Sequence, residues 1–140
     1  DAVTHLQVRL RDGVGIVGPL VLPGRSTCLS CIELQRTAQD EEWPLAAAQL
    51  VGTAGRADPS CVAATVGLAT AQALAALDVE GPVPPTLDAT LELDVAAGTV
   101  RRRDWSADPE CHCRAAAAPG GPSHGRATSA MEGDGDTIKA

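Results

Sequence analysis

Cys28 and Cys31 form a Cys-x-x-Cys knuckle, and far downstream Cys111 and Cys113 form a Cys-x-Cys pair. Turn residues precede each pair, PGRST before the first and SADPE before the second, and each pair lies beside a predicted strand. Two such pairs brought together by a fold supply four soft ligands for tetrahedral Zn²⁺ and leave no open coordination position, so the expected role is structural. The same residues admit two other chemistries. Disulfide pairing is one, but five cysteines leave an odd thiol, and the absence of a secretory signal favours a reducing compartment. A redox dithiol is the other; it needs Cys28 at a helix start after a strand, and Thr27-Cys28 is close to such a boundary. His112, between two expected ligands, could replace one of them, yet adjacent residues rarely reach the same metal, and it reads as a bystander. Cys61 stands apart at the predicted start of the longest helix, where the dipole and free amides favour a thiolate nucleophile. The competing reading, a small buried apolar residue, is preferred because no base is nearby: His5 is distant in sequence and His112 is expected at the metal.

A second motif is GVGIVG, Gly13 to Gly18, which has the Gly-x-Gly-x-x-Gly spacing of dinucleotide-binding turns. A true fingerprint opens a helix whose N-terminus meets the pyrophosphate. Here Pro19 follows directly, then the apolar run LVL closed by Pro23 and Gly24. This reads as strand, bend, strand, with the glycines allowing close backbone approach in a twisted sheet rather than holding a nucleotide.

The elements that must position the thiols follow from periodicity. THLQVRL (4–10) alternates as a half-buried strand, and after Asp12-Gly13 the run IVGPLVL continues as its hairpin partner. ELQRTAQDEEW predicts a surface helix stopped before Pro44, and LAAAQLV a short helix up to Gly52; residues 52–60 read as loop. Val62 to Leu77 predicts a long amphipathic helix with Val62, Val66, Ala69, Ala73 and Leu77 on its buried face, Leu74 beside them, and Asp58 or Ser60 as N-cap. TLDATLELDV and TVRRRDW then form a hairpin over 87–105, turning at 96–98. From Ala115 the chain has almost no large apolar residue, so 1–114 is expected as the ordered portion and 115–140 as a disordered tail.

The core available to these elements is built from Ala, Val and Leu, with two Trp and no Phe or Tyr among 140 residues, so a cross-link would supplement it. A net charge of −7 argues against general nucleic-acid binding. Arg101, Arg102 and Arg103 are the one basic cluster and read as a solvated strand end. No window is expected to approach the apolar length of a membrane span, and the N-terminal stretch lacks a basic and hydrophobic signal-peptide pattern, so a soluble cytoplasmic protein without a membrane partner is expected. The opening at Asp1, directly into a strand-like segment, suggests the later part of something longer.

The order of these features resembles the C-terminal half of the E1-like activating enzymes, the superfamily of ThiF, MoeB, HesA and ubiquitin-activating enzymes. GPLVLPGRSTCLSCIEL resembles the family's strand, PG turn and first zinc knuckle; VAATVGLATAQALAALD resembles its helix with a Gln-Ala-Leu run; TLELDVAAGTVRRRDWSADPECHC resembles its closing hairpin and second zinc pair. GPLVLPGR and RTAQDEEWP are closest to actinobacterial ThiF-like proteins linked to cyclodehydratases of thiazole- and oxazole-modified peptides. The resemblance implies an α/β fold, the C-terminal part of a ThiF-type Rossmann-like adenylation domain with β-hairpins, one long central helix and a four-cysteine zinc site at Cys28, Cys31, Cys111 and Cys113. It implies ATP-dependent adenylation of a protein or peptide C-terminal carboxylate, with a ubiquitin-like or sulfur-carrier protein or a peptide as partner and a homodimer as the usual assembly. In the cyclodehydratase branch it implies a non-catalytic module that presents a leader peptide. The family's nucleotide loop, arginine finger and Mg²⁺ aspartate lie upstream of the matched region, so ATP and Mg²⁺ would enter only through that missing half. The second pair is Cys-x-Cys where relatives commonly have Cys-x-x-Cys. Some relatives carry a nucleophilic cysteine in the loop after the first knuckle, and Cys61 lies only at that loop's far end.

Overall fold

The computed structural model describes residues 3–113; the segment expected as a tail lies outside the described residues. The chain folds as β1 (His5–Arg11), β2 (Val14–Val21), α1 (Leu29–Gln39), α2 (Trp43–Leu50), α3 (Pro59–Leu77), β3 (Ala89–Asp94) and β4 (Thr99–Asp104). The strands form one antiparallel sheet in the order β1-β2-β3-β4. Both expected hairpins are present. Arg11 pairs with Val14 across a two-residue turn in which Asp12 and Gly13 both take positive φ, as the tightest hairpin turns require. In the second hairpin Asp94 pairs with Thr99, its carboxylate accepts from the Ala97 amide at 2.9 Å, and Gly98 supplies the positive φ.

GVGIVG lies within β2 and the turn before it, so no helix follows the third glycine. β2 is the central strand of the core, with Ile16, Val17, Leu20 and Val21 nearly inaccessible. Its glycines admit close neighbours on both sides. A Cβ on Gly15 would overlap the Thr65 hydroxyl of α3, and one on Gly18 would meet the carbonyl of Ala89 on β3.

Two helix expectations are corrected. The surface helix begins at Leu29 rather than near Glu33 and ends at Gln39; Pro44 opens α2 instead of stopping α1. Proline suits a first helical turn because its fixed φ is helical and its missing N–H would have no partner there. The buried face of α3 is also not the apolar stripe. Cys61, Thr65 and Gln72 face the interior, whereas Val66, Leu74 and Leu77 are 58%, 63% and 77% exposed. Gly15 accounts for the rotation: the sheet offers a shallow place there that fits a small side chain. Each polar group is satisfied. Thr65 Oγ1 donates to the Cys61 carbonyl at 2.7 Å, and Gln72 Oε1 accepts from Thr86 Oγ1 at 3.3 Å. The N-cap is Asp58, whose carboxylate accepts from the amides of Ser60 and Cys61.

The membrane expectation needs one amendment. α3 contains an 18-residue window of mean hydropathy 1.6, long and apolar enough to span a bilayer by length and composition, of which 17% is buried. In the fold this helix lies on the sheet, mainly against β2.

Candidate metal centre

The four paired cysteines converge from two separate segments. Cys28 and Cys31 sit at the start of α1, just after β2; Cys111 and Cys113 lie beyond β4. The Sγ atoms are 3.7 Å apart for Cys28–Cys31, 3.6 Å for Cys28–Cys111 and 3.5 Å for Cys31–Cys113, and all four lie within 4.8 Å of one another. Thiolates at about 2.3 Å from a tetrahedral Zn²⁺ stand about 3.8 Å apart, so the sulfur edges match the donor set that such an ion requires. These cysteines could hold a metal ion. Cys31 and Cys111 are buried and Cys28 and Cys113 partly exposed, which leaves the cluster at the surface end of the core.

The convergence rests on a polar brace that the sequence did not reveal. Asp88, at positive φ before β3, accepts from the Thr27 amide at 2.7 Å, and its carbonyl accepts from the Trp105 amide at 2.8 Å. Thr27, fully buried, also donates its hydroxyl to the Trp105 carbonyl at 3.5 Å. Ser26 Oγ accepts from the Leu22 amide at 2.8 Å and fixes the PGRS turn. One aspartate therefore ties the residue before Cys28 to the strand end that leads to Cys111. The only sequence signal was the Asp in TLDAT, since Asp tolerates left-handed backbone conformations better than most residues.

The thiols tune one another. Desolvation raises the Cys28 thiol, but the backbone hydrogen bond from Cys31 and the thiols of Cys113, Cys111 and Cys31 outweigh it and bring Cys28 down to about 7. Desolvation and the neighbouring sulfurs push Cys113 up. The Cys113 backbone and thiol lower Cys111, but desolvation and the thiols of Cys31 and Cys28 outweigh them and move it up. One favoured thiolate among four donors is a natural entry point for a divalent cation.

Cys28 is the N-cap of α1, the placement a redox dithiol would need, yet its sulfur is as close to Cys111 as to Cys31. All five cysteines are free thiols. His112 is exposed beside the cluster. Cys61 is not part of it. Its side chain is fully buried under the first hairpin, and Sγ donates to the Gly13 carbonyl at 3.1 Å. The amides that a nucleophilic thiolate would draw on at this helix start are instead turned to Asp58.

The chain matches no family model, and no curated protein matches it by sequence. Its fold is similar to that of MccB from E. coli. The MccB crystal structure is 12% identical with a TM-score of 0.60, over 81% of this chain and 32% of that one. MccB with AMPCPP and MccA gives 12% and 0.61 over 81% and 33%. The microcin C7 biosynthetic enzyme MccB with N-formylated MccA gives 13% and 0.56 over 81% and 34%. The chain spans about a third of the length of these chains. At this identity the likeness is one of fold. The mixed α/β architecture, with its four-stranded antiparallel sheet, long helix and gathered cysteines, agrees with the expected fold class.

Proposed function

We propose that this chain is the zinc-stapled C-terminal portion of a ThiF-type adenylating protein, with Cys28, Cys31, Cys111 and Cys113 as the structural ligands. The observation that carries this reading is the closure of four thiols from two distant segments inside a fold similar to MccB. Bound there, zinc would join the start of α1 to the segment after β4 and offset two of the four thiolate charges. No ligand position would remain for chemistry, so the cluster holds the architecture rather than acting on a substrate.

Residues 1–114 form the ordered unit in this reading, and ATP with Mg²⁺ would bind in the upstream half. The apolar stripe of α3, turned away from the sheet, is the surface on which the rest of such a domain would pack. The substrate would be a C-terminal carboxylate of a peptide or of a ubiquitin-like or sulfur-carrier protein; a peptide is favoured by the MccB structures that hold MccA. The wholly exposed edge strand β4 also supports the second reading, a module that binds a leader peptide for a cyclodehydratase.

Native mass spectrometry of the chain, before and after acid denaturation, tests the staple. One zinc per chain, lost together with the fold, is the expected result; a folded chain without metal overturns it. ATP-pyrophosphate exchange by the protein carrying the upstream half then separates adenylation from peptide presentation, which predicts peptide binding without exchange.

A further inference from the structure

The sheet face opposite α3 is basic in an otherwise acidic chain. Direct pairing places Arg9 opposite Ile16, Ile16 opposite Glu92 and Glu92 opposite Arg101, so these side chains share one face. Arg103, opposite Thr90, lies two residues along on the same side of β4, and Arg11 lies two residues along β1 from Arg9. Arg36 of α1 joins them, with its guanidinium 4.9 Å from the centre of the Trp43 ring and 5.4 Å from that of Trp105; Arg103 lies 4.7 Å from Trp105 on the same terms. The acidic groups on this face are Glu33, Glu92 and Asp94. Glu33 is held by Arg36 and by the Trp43 indole N–H, and Asp94 accepts from the Ala97 amide.

Five guanidinium groups thus meet three carboxylates, and Arg36–Glu33 is the one ion pair of this face among the described residues. Arg9 Nε is a buried donor without a partner there. Such an arrangement is costly without an anion, because like charges repel and a buried donor goes unmet. Burial first, and then Arg11, draw the Arg9 guanidinium below its ordinary value, while Glu33 and Glu92 act the other way; burial and then Arg9 do the same to Arg36.

We infer that this face is a docking surface for an extended acidic peptide, whose carboxylates pair with Arg101, Arg103 and Arg9 and whose aliphatic parts lie on Trp43, while Arg36 and the buried Trp105 support the face from beneath. The spacing suits that ligand. Arg101 and Arg103 alternate along one side of β4, and every second side chain of an extended peptide recurs at about 6.6 Å on one side. Charge complementarity selects carboxylates, and arginine forks bind them in pairs of hydrogen bonds. A nucleic acid fits less well, since the local excess of two positive charges sits in a chain of net −7. The inference holds whether or not the chain belongs to an adenylating protein, because it uses only the sheet face, α1 and the two tryptophans beside them.

The two tryptophans are the only aromatic side chains of the protein, so their fluorescence reports this face directly. The full chain would be titrated with an acetylated octapeptide of alternating Glu and Thr, and with its Gln-Thr counterpart. The expected result is a saturable fluorescence change with the Glu peptide that weakens as salt rises, and none with the Gln peptide. Arg101→Gln with Arg103→Gln, both exposed on an edge strand, should weaken binding by roughly tenfold, while Arg25→Gln, outside the face, leaves it unchanged. Equal binding of the two peptides, no binding of either, or an eight-residue oligothymidylate bound as tightly as the Glu peptide would each overturn the assignment.

Discussion

Two helices of this protein carry a cysteine at or just before their first turn, and the two cysteines have opposite fates. Cys28 caps α1 in an extended conformation, partly exposed, with three other sulfurs around it. Cys61 lies in the first turn of α3, fully buried, with its S–H on the Gly13 carbonyl. A helix start by itself therefore decides nothing about a thiol. What differs is the partners: around Cys28 they are sulfurs that favour its thiolate, whereas the Cys61 S–H donates to a backbone carbonyl.

The largest effect expected from breaking this contrast is at the first site. In the proposed staple, Cys31→Ser or Cys111→Ser removes one of four ligands from a buried position, and loss of a structural metal belongs to the class of changes costing more than about 4 kcal/mol. Thermal melting with metal analysis should show the zinc and the cooperative transition vanish together. A melting curve unchanged by Cys111→Ser would remove the staple. Acid should act in the same direction. Protons compete with the ion for all four thiolates, so zinc retention measured by dialysis should decline as pH falls into the acid range, and flat retention down to strong acid would contradict a thiolate site.

The second site should respond to volume rather than to metal. Gly15→Ala pushes a methyl group into the Thr65 hydroxyl, next to Cys61, and overpacking of this kind costs about 1–3 kcal/mol. Thr65→Ala in the same chain should return most of that loss, because it opens the space again. A double variant no more stable than Gly15→Ala would mean that α3 does not approach β2 at this point.

The same contrast explains what could be read in the sequence. Spacing alone revealed the four thiols, since the two pairs sit beside turns at the ends of strands, and alternation revealed both hairpins down to the Asp12-Gly13 turn. The buried face of α3 was not legible. Periodicity gave the apolar stripe through Val66 and Leu74, whereas packing followed a glycine on another element, and Gly15 also belonged to a string that resembled a nucleotide loop. Asp88 and the arginine face were hidden for the same reason: Arg9, Arg36 and Arg103 come from three elements, and only the register of the sheet brings them together. Local chemistry was readable, and partners distant in sequence were not.

The smallest effect belongs to Cys61 itself. Cys61→Ala removes a buried sulfur and one weak hydrogen bond to Gly13 without leaving a charge or orphaning a strong donor, so a cost of about 1 kcal/mol or less is expected. Thiol labelling sharpens the distinction beyond stability. In the native protein Cys61 should resist a maleimide because no solvent reaches it, and a chelator should free four thiols while the protein unfolds. If Cys61 instead reacts first, in the folded zinc-loaded chain, the start of α3 opens readily enough to expose a nucleophile. The preference for a packing role would then give way to the helix-start chemistry that its position in the sequence first suggested.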